Sequence, residues 1–239
     1  MLAQRNSSQH DRHLICDCDC DGVLVDSEVI ADRVMLDVLT ETFPGIDFEP
    51  VVKTAFGQQT SRFLAGLETK FGIVIPPKFV DTIEARVSVE LAHSVGPIAG
   101  VRPALEGCGL PVAVVSNSRM ERVRTSVRRA GLDKIVGARV FSAQQVERPK
   151  PYPDVYLLAA RTLDVDPSRC LVVEDSVAGL MAARAAGMKT IAFVGASHIP
   201  SGYAQVLRET GITRIMEHMD ELPALVAAGV RGDFGDVLS

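Results

Sequence analysis

Apolar residues in the first hundred positions recur at helical spacing after one short strand. Leu14 to Asp19 is predicted to be a strand, and it ends in acidic residues. Helical periodicity follows over Glu28 to Thr42, Thr60 to Phe71 and Val80 to Val95, with no strand pattern between these segments. We therefore expect a single strand followed by a block of helices.

Short apolar runs rich in β-branched residues alternate with helical segments from Gly96-Pro97 onward. The predicted strands are Pro111 to Ser116, Arg139 to Ser142, Cys170 to Val173 and Thr190 to Val194. The predicted helices are Arg119 to Ala130, Asp154 to Leu163 and Val177 to Ala186. Such runs are typical of parallel strands buried on both faces. The pattern predicts an α/β fold with a doubly wound parallel sheet.

The first strand belongs with this later alternating half, so the helical block is an insertion into a sheet domain. We predict a mobile tail over residues 1–13, a core made of residues 14–26 and 96–239, and an all-helical cap over residues 27–95. A core covered by a helical lid is the simplest arrangement that uses all of these elements.

Composition and charge narrow the possible partners. The 239 residues are 47% hydrophobic and 23% charged, which is enough for a sizeable core, and the formal net charge is −5. This charge argues against nucleic acid or an anionic membrane as the main partner. No apolar run reaches the ~18 residues of a membrane span, and residues 1–13 lack the apolar stretch of a secretory signal. We expect a cytoplasmic protein, either a monomer or a weak homo-oligomer.

Five cysteines are present, and Cys16, Cys18 and Cys20 alternate with aspartates. Cysteines two residues apart on a strand cannot easily form a disulfide, so reduced thiols are the simpler interpretation. A metal site on this C-x-C-x-C run is the alternative, but no Cys or His pair elsewhere offers obvious further ligands. We interpret the thiols as packing residues.

Polar side chains stand at the ends of three predicted strands and in one nearby loop. In chain order these motifs are Asp19-Cys20-Asp21-Gly22, Ser116-Asn117-Ser118, Arg148-Pro149-Lys150-Pro151 and Glu174-Asp175-Ser176. Open α/β sheets place their sites at the carboxyl ends of the strands. Carboxylates can hold a divalent cation there, while lysine, hydroxyls and backbone amides can hold a phosphoryl group. The sequence therefore predicts a charge-balanced site suited to phosphoryl transfer.

The segments DCDGVLVDSE, VVSNS, RPKPYPDVY and VVEDSVAG resemble, in order, motifs one to four of the haloacid dehalogenase superfamily. The resemblance covers roughly residues 14 to 200. Its first and last motifs are similar to those of the β-phosphoglucomutases and small sugar-phosphate phosphatases. It implies a Rossmann-like core with an inserted helical cap, and a Mg²⁺-dependent phosphohydrolase acting on a small phosphorylated metabolite, a sugar or sugar-acid phosphate.

The resemblance also implies roles for the acidic residues. Asp19 corresponds to the nucleophile that forms an aspartyl-phosphate, and Asp21 corresponds to the acid/base group. Mg²⁺ would be bound by Asp19, by the backbone carbonyl of Asp21, and by Glu174 and Asp175. Two neighbouring carboxylates resist ionising together, so the spacing predicts that one of the pair can carry the proton for the leaving alkoxide.

Four further residues are implied to bind the phosphoryl group. Ser116 and Lys150 resemble the phosphate-binding residues of the family, and Asn117 and Ser118 would add donors from the same loop. Lys150 and the acids of the last motif also have simpler interpretations outside the family context. A lysine between prolines also occurs in ordinary rigid loops, and the acids of the last motif can cap the following helix.

Asp17 departs from the family pattern, which has an apolar residue at this position of the strand. Because side chains alternate along a strand, we expect Asp17 on the same face as Asp19, where an unpaired buried carboxylate is unfavourable. Asp17 is then paired, protonated or near the open end of the strand. The repeat also offers Asp17-Cys18-Asp19 as a competing register, although Gly22 directly after Asp21 favours Asp19 as the nucleophile.

Hydrolysis is favoured over isomerisation. Ala31 stands where a mutase of this group typically has histidine, and residues 57–60 lack the arginine expected after the glycine. Carbon–halogen cleavage is less favoured, since it needs neither Asp21 as a proton donor nor the metal-binding acids. A non-catalytic binding module is a third alternative.

Substrate contacts outside the four motifs are less well defined. Gln58, Gln59 and Thr60 are candidates for reading sugar hydroxyls, and Lys53 or Arg62 for meeting a carboxylate. Five arginines between residues 119 and 129 indicate a solvated helix face rather than a binding site.

Overall fold

The computed structural model of the protein describes residues 14–55 and 60–231. The predicted tail over residues 1–13, the glutamines at 58 and 59, and residues 232–239 of the predicted core lie outside the described residues. Among the helices of the described part, none combines the length and the apolar character needed to cross a membrane.

One sheet of parallel strands forms the centre of the described structure. The strands are β1 (Ile15–Cys18), β2 (Val112–Ser116), β3 (Val140–Ser142), β4 (Cys170–Glu174), β5 (Lys189–Phe193) and β6 (Ile215–Met216). Their order is β3-β2-β1-β4-β5-β6, and every neighbouring pair is parallel. This confirms the predicted doubly wound, Rossmann-like sheet.

Helices surround the sheet and fill the segment between β1 and β2. They are α1 (Glu28–Thr42), α2 (Glu49–Val52), α3 (Thr60–Phe71), α4 (Phe79–Ser94), α5 (Val101–Gly107), α6 (Met120–Arg129), α7 (Asp133–Val136), α8 (Asp154–Thr162), α9 (Val177–Ala185), α10 (Tyr203–Glu209) and α11 (Leu222–Val230). The predicted helices and strands are confirmed, with bounds that differ by at most one residue. The short elements α2, α5, α7, α10 and β6, and the helix α11, were not predicted.

Both faces of the sheet are buried, which explains why its strands are continuously apolar. Cys16 and Cys18 of β1 belong to an apolar cluster with α5, α6 and α11, and this cluster continues into α1, α3 and α4. Ile15 of β1 belongs to a second cluster with α8 and α9. A strand covered on both sides needs apolar residues at successive positions rather than in alternation.

The helices α1 to α4, called the insertion below, leave and rejoin the core at neighbouring points. The backbone N–H of Asp26 donates to the carbonyl of Gly96 at 3.1 Å, and that of Ile98 donates to the carbonyl of Leu24 at 3.0 Å. These bonds tie the entering and leaving segments together beside the end of β1. The division into a core over residues 14–26 and 96–239 and a helical cap over residues 27–95 stays a prediction.

Candidate active site

Asp19, Glu174 and Asp175 meet where the order of the strands reverses between β1 and β4. The backbone N–H of Asp19 donates to the carbonyl of Val173 at 3.0 Å, which aligns the two strand ends. The three side chains are buried, and one carboxylate oxygen from each lies within 4.8 Å of the others. The reversal point is where open α/β sheets bind their ligands. The topology thus joins acids from two distant motifs in one cluster.

Lys150 lies within this acidic cluster. Its Nζ donates to Asp19 Oδ1, to Glu174 Oε1 and to the carbonyl of Val115, each at 2.7 Å, and the residue is 6% exposed. Burial alone disfavours the charged ammonium, but Asp19 and Glu174 outweigh it and raise the pKa of Lys150 above its ordinary value. Lys150 is therefore charged and offsets part of the negative charge of the cluster.

The loop after β2 is ordered by hydrogen bonds to its own neighbours. Asn117 Nδ2 donates to the carbonyl of Lys150 at 3.2 Å, and Asn117 Oδ1 accepts from the Lys150 backbone N–H at 2.9 Å. Ser116 Oγ accepts from the backbone N–H of Ser118 at 3.0 Å, and the Ser118 carbonyl accepts from Ser142 Oγ at 2.6 Å. The amide of Asn117 thus holds the Lys150 backbone in place.

Asp21 points away from the acidic cluster. Its Oδ1 accepts from Ser27 Oγ at 2.6 Å and from Arg122 Nη2 at 3.0 Å, and its Oδ2 accepts from Ser118 Oγ at 2.6 Å. Burial raises the pKa of Asp21, but the charge of Arg122 and the two hydroxyls outweigh burial and leave it below its ordinary value. The spacing predicted that one acid of the pair can carry the proton for the leaving alkoxide, whereas this arrangement favours ionised Asp21.

A family model described as a haloacid dehalogenase-like hydrolase matches residues 18–187, a span that includes all four motifs. The chain belongs to the haloacid dehalogenase-like hydrolases. The family resemblance read from the motifs is therefore confirmed, and with it the class of the protein as an enzyme.

Individual relatives support the same assignment. 6-Phosphogluconate phosphatase of Escherichia coli is 28% identical over 209 residues, which are 87% of this chain and 91% of that protein. Hexitol phosphatase A of Escherichia coli is 34% identical over 179 residues, 73% of this chain and 80% of that protein. The chloroplast protein SUPPRESSOR OF QUENCHING 1 of Arabidopsis thaliana is 35% identical over 188 residues, but this chain spans only 17% of its length.

A solved structure shares the fold of this hydrolase. It is the crystal structure of a conserved haloacid dehalogenase-like protein of unknown function from Agrobacterium tumefaciens, at 36% identity and a TM-score of 0.82. The similarity covers 92% of this chain and 100% of that chain. The agreement extends over the insertion as well as the sheet.

The acidic cluster of this hydrolase can hold a divalent cation. Asp19, Glu174 and Asp175 each present a carboxylate oxygen, the ligand type that hard cations prefer, and Lys150 offsets only one of the three charges. Burial raises the pKa of Asp19 and of Asp175, and neighbouring carboxylates raise both further. A dication between the three oxygens would relieve this repulsion, so the donor set fits the metal that the family generally uses.

Two residues reach the site that were not predicted to do so. The Arg122 side chain is 22% exposed in its ion pair with Asp21, so the interpretation of the arginine run as wholly solvated is wrong at this position. His198 Nε2 lies 3.3 Å from Asp175 Oδ2, and burial lowers the pKa of His198. For Arg122 the signal in the sequence is the small residue Ser126, four positions further along α6 and therefore on the same face, and the structure shows that Ser126 is buried.

Two glycines leave room for the acids. A Cβ on Gly22, whose φ is +75°, would overlap the carboxylate of Asp175, and a Cβ on Gly179 would overlap that of Glu174. Gly179 lies in the first turn of α9, where its N–H donates to Ser176 Oγ at 3.0 Å. Because Glu174 is also fixed by the N–H and hydroxyl of Ser176, both at 2.9 Å, it cannot move without losing these bonds.

We expect Gly179→Ala to displace the Glu174 carboxylate and to weaken both folding and divalent-cation binding. Overpacking of this kind costs about 1–3 kcal/mol of stability. The matched control is Gly66→Ala, because Gly66 is exposed in α3 with open space around its Cα and should gain up to about 1 kcal/mol. Urea unfolding and calorimetric titration with Mg²⁺ measure the two effects. Unchanged Mg²⁺ affinity in Gly179→Ala would contradict the assignment of Glu174 as a ligand.

Asp17 lies in β1 two residues before Asp19 and is fully buried. Neither of its carboxylate oxygens has a hydrogen-bond partner within the described residues. Burial raises the pKa of Asp17 to about 7, while the Cys170 thiol and the Lys150 ammonium lower it to a smaller extent. Of the three possibilities left open by the sequence, the structure favours a protonated Asp17.

The raised pKa of Asp17 predicts a loss of stability with rising pH. The folded state is most stable, relative to the unfolded chain, below the ordinary pKa of about 4, where Asp17 is neutral in both states. This stability is lost as the pH rises through about 7, because Asp17 then has to ionise in a buried position. We expect Asp17→Val to unfold at a higher urea concentration than the wild type. The difference between the two proteins in the free energy of unfolding should grow by up to about 4 kcal/mol between pH 4 and pH 8. The exposed Asp37→Asn in α1 should show no such growth. A constant difference between wild type and Asp17→Val across this range would contradict the protonated state.

Proposed function

We propose that this hydrolase is a Mg²⁺-dependent phosphatase that hydrolyses a sugar phosphate or sugar-acid phosphate through an aspartyl-phosphate intermediate. The observation that carries the proposal is the meeting of Lys150 with Asp19 and Glu174 at one buried point, because it can hold a phosphoryl group against a carboxylate. The names of the relatives, 6-phosphogluconate phosphatase and hexitol phosphatase A, support this substrate class.

Asp19, Glu174 and Asp175 would hold Mg²⁺, with the backbone carbonyl of Asp21 as a further ligand. When bound, the ion supplies positive charge to the oxygens of the transferring phosphoryl group. Lys150 supplies a second positive charge from the protein itself, since its Nζ already contacts Asp19 at 2.7 Å. Ser116 and Ser118 lie in the adjoining loop, where their hydroxyls and backbone amides can donate to phosphoryl oxygens.

Asp19 is the nucleophile in this proposal. A carboxylate oxygen of Asp19 bonds to phosphorus while the bond from phosphorus to the sugar oxygen breaks, and the electron pair leaves with that oxygen. Burial and the neighbouring carboxylates raise the pKa of Asp19, and the ammonium of Lys150 opposes them in favour of the ionised Asp19 that this attack requires. Water then attacks the same phosphorus, which releases inorganic phosphate and restores the Asp19 carboxylate.

Asp21 is the acid/base residue in both steps. Asp21 is ionised while it is bonded to Arg122, so it first takes up a proton from solvent when it turns away from that arginine. It then delivers this proton to the departing sugar oxygen and takes one back from the attacking water, so that the proton count balances over a turnover. In the structure Asp21 is bonded to Ser27, Ser118 and Arg122 and does not join the acidic cluster. Its side chain must therefore turn from this position when it serves the leaving oxygen.

Hydrolysis is proposed over isomerisation because Ala31, in the first turn of α1, offers no side chain for proton transfer. A cytoplasmic location, a monomeric or weakly oligomeric state and the absence of nucleic-acid partners stay predictions.

Phosphate release across a panel of sugar, sugar-acid and glycolytic phosphates tests the proposal. We expect release from at least one sugar-type substrate, and we expect EDTA to abolish it. A parallel assay should find no glucose 6-phosphate formed from β-glucose 1-phosphate. Isomerisation in that assay would favour a mutase, whereas no turnover of any substrate would favour a non-catalytic binding module.

A further inference from the structure

Arg122 is a largely buried cation at the boundary between the sheet and the insertion. It lies in the first turn of α6, which follows the loop that carries Ser116 and Ser118. Two turns further along the same helix, Arg129 Nη2 donates to the carbonyl of His93 in α4 at 2.7 Å. This face of α6 therefore adjoins the insertion, and Arg122 occupies the end of that face nearest to Asp21.

The hydrogen-bonding capacity of Arg122 is only partly used. Its Nη2 donates to Asp21 Oδ1 at 3.0 Å, and no other hydrogen bond of its guanidinium is found within the described residues. Its Nε is buried and has no acceptor there. Arginine presents its N–H donors in a planar fork that matches two oxygens of one carboxylate, and a buried N–H without an acceptor is unfavourable. An anionic group with two oxygens would satisfy both donors.

The proposed chemistry removes the present partner of Arg122. Asp21 must turn toward the leaving oxygen beside Asp19, which breaks its ion pair with Arg122. A guanidinium left without a counter-ion at this depth is strongly unfavourable, so another anion has to replace Asp21. Glu28 is a second carboxylate whose charge acts on Arg122, after that of Asp21, but it forms no hydrogen bond with Arg122 within the described structure.

Two other cations near this end of α6 and the acidic cluster are already paired within the described residues. Arg119, at the N-terminus of α6, pairs with Glu84 of the insertion at 3.5 Å, and Lys150 is committed to Asp19. Once Asp21 has turned away, the single guanidinium of Arg122 matches the one charge of a carboxylate, whereas a second phosphate group carries more negative charge than Arg122 alone can offset.

We propose that Arg122 binds the carboxylate of a sugar-acid phosphate and thereby makes the enzyme selective for phosphorylated sugar acids over phosphorylated neutral polyols. The inference rests on the proposed phosphatase function and narrows its substrate class. Arg122 is then a specificity-determining residue. When the substrate carboxylate binds Arg122, it takes the place of the Asp21 carboxylate, and Asp21 is free to turn toward the leaving oxygen and transfer a proton.

Rates of phosphate release from 6-phosphogluconate and from sorbitol 6-phosphate test the proposal. They are compared in the wild type, Arg122→Gln, Arg122→Lys and the control Arg124→Gln, whose arginine is exposed on the same helix. We expect the wild type to prefer 6-phosphogluconate. In Arg122→Gln the ratio of kcat/KM for the acid to that for the polyol should fall by about tenfold or more, as one charge-assisted pair is lost. Arg122→Lys should recover part of the ratio, and Arg124→Gln should keep it.

The ratio separates substrate binding from damage to the enzyme. An equal fall in kcat/KM for both substrates would show that Arg122 only positions Asp21, and a wild type that prefers the polyol would also overturn the proposal. If the wild type released phosphate from neither compound and from no other member of the panel, the phosphatase function would have failed, and calorimetric binding of the two compounds would decide the inference. The inference would be supported if Arg122→Gln bound 6-phosphogluconate more weakly than the wild type does but bound sorbitol 6-phosphate equally well. It would be overturned if the wild type and Arg122→Gln bound 6-phosphogluconate equally well.

Discussion

Asp19→Asn is expected to lower Mg²⁺-dependent phosphate release by about 10⁴-fold or more. The amide has nearly the same shape as the carboxylate, but it cannot attack phosphorus or carry the phosphoryl group. It also removes one of the three negative charges that would bind the cation and one of the two carboxylates bonded to Lys150. Steady-state phosphate release with the preferred substrate of the panel measures the loss.

The matched control for this variant is Asp17→Asn, the same change two residues earlier in β1. Asp17 is buried beneath the site and is assigned no role in the chemistry, so we expect this variant to keep at least about a tenth of the activity. Normal turnover by Asp19→Asn together with loss in Asp17→Asn would move the nucleophile to the competing register, Asp17-Cys18-Asp19.

Lys150→Met is expected to lower activity by about 10³-fold and to destabilise the fold by about 3–5 kcal/mol. The variant leaves Asp19 and Glu174 buried with no ammonium between them, whereas both are bonded to Lys150 at 2.7 Å in the wild type. Because a cation bound by the same acids would offset part of this repulsion, added Mg²⁺ should stabilise Lys150→Met more than it stabilises the wild type. Urea unfolding with and without Mg²⁺, together with phosphate release, measures these effects.

Two further variants sharpen the test of Lys150. Lys134→Met removes an exposed lysine from α7 and should change neither activity nor stability. Lys150→Arg keeps the charge but places a larger, planar group in a site where the residue is 6% exposed, so we expect it to recover little activity. A Lys150→Met protein with wild-type activity would exclude Lys150 from phosphoryl binding.

Most of the sheet was predictable because its strands are buried on both faces and are therefore unbroken apolar runs. The same reasoning located the site, since polar residues directly after such runs must lie at one edge of a parallel sheet. The missed elements lacked these patterns. Helix α11, with the sequence LPALVAAGV, has no polar stripe, and β6 is only two residues long.

The protonation states and ion pairs of the site were harder to predict than the identity of the residues that form it. The spacing of Asp19 and Asp21 suggested that one of the two acids carries a proton, but the ion pair of Asp21 with Arg122 depends on how α6 packs against the end of β1. That contact joins residues 101 positions apart in the chain. Asn117 is a similar case, because the sequence suggested a phosphate donor while both of its amide groups bond to the backbone of Lys150.

The central claim is that Asp19 carries the phosphoryl group during turnover. Acid quenching of the enzyme during steady-state turnover with Mg²⁺ and its preferred sugar phosphate, followed by peptide mass spectrometry, tests this directly. We predict one phosphoryl group on the peptide that contains Asp19, susceptible to hydroxylamine as an acyl phosphate and absent from Asp19→Asn. A phosphoryl group on another residue, or full-rate turnover by Asp19→Asn, would contradict this assignment.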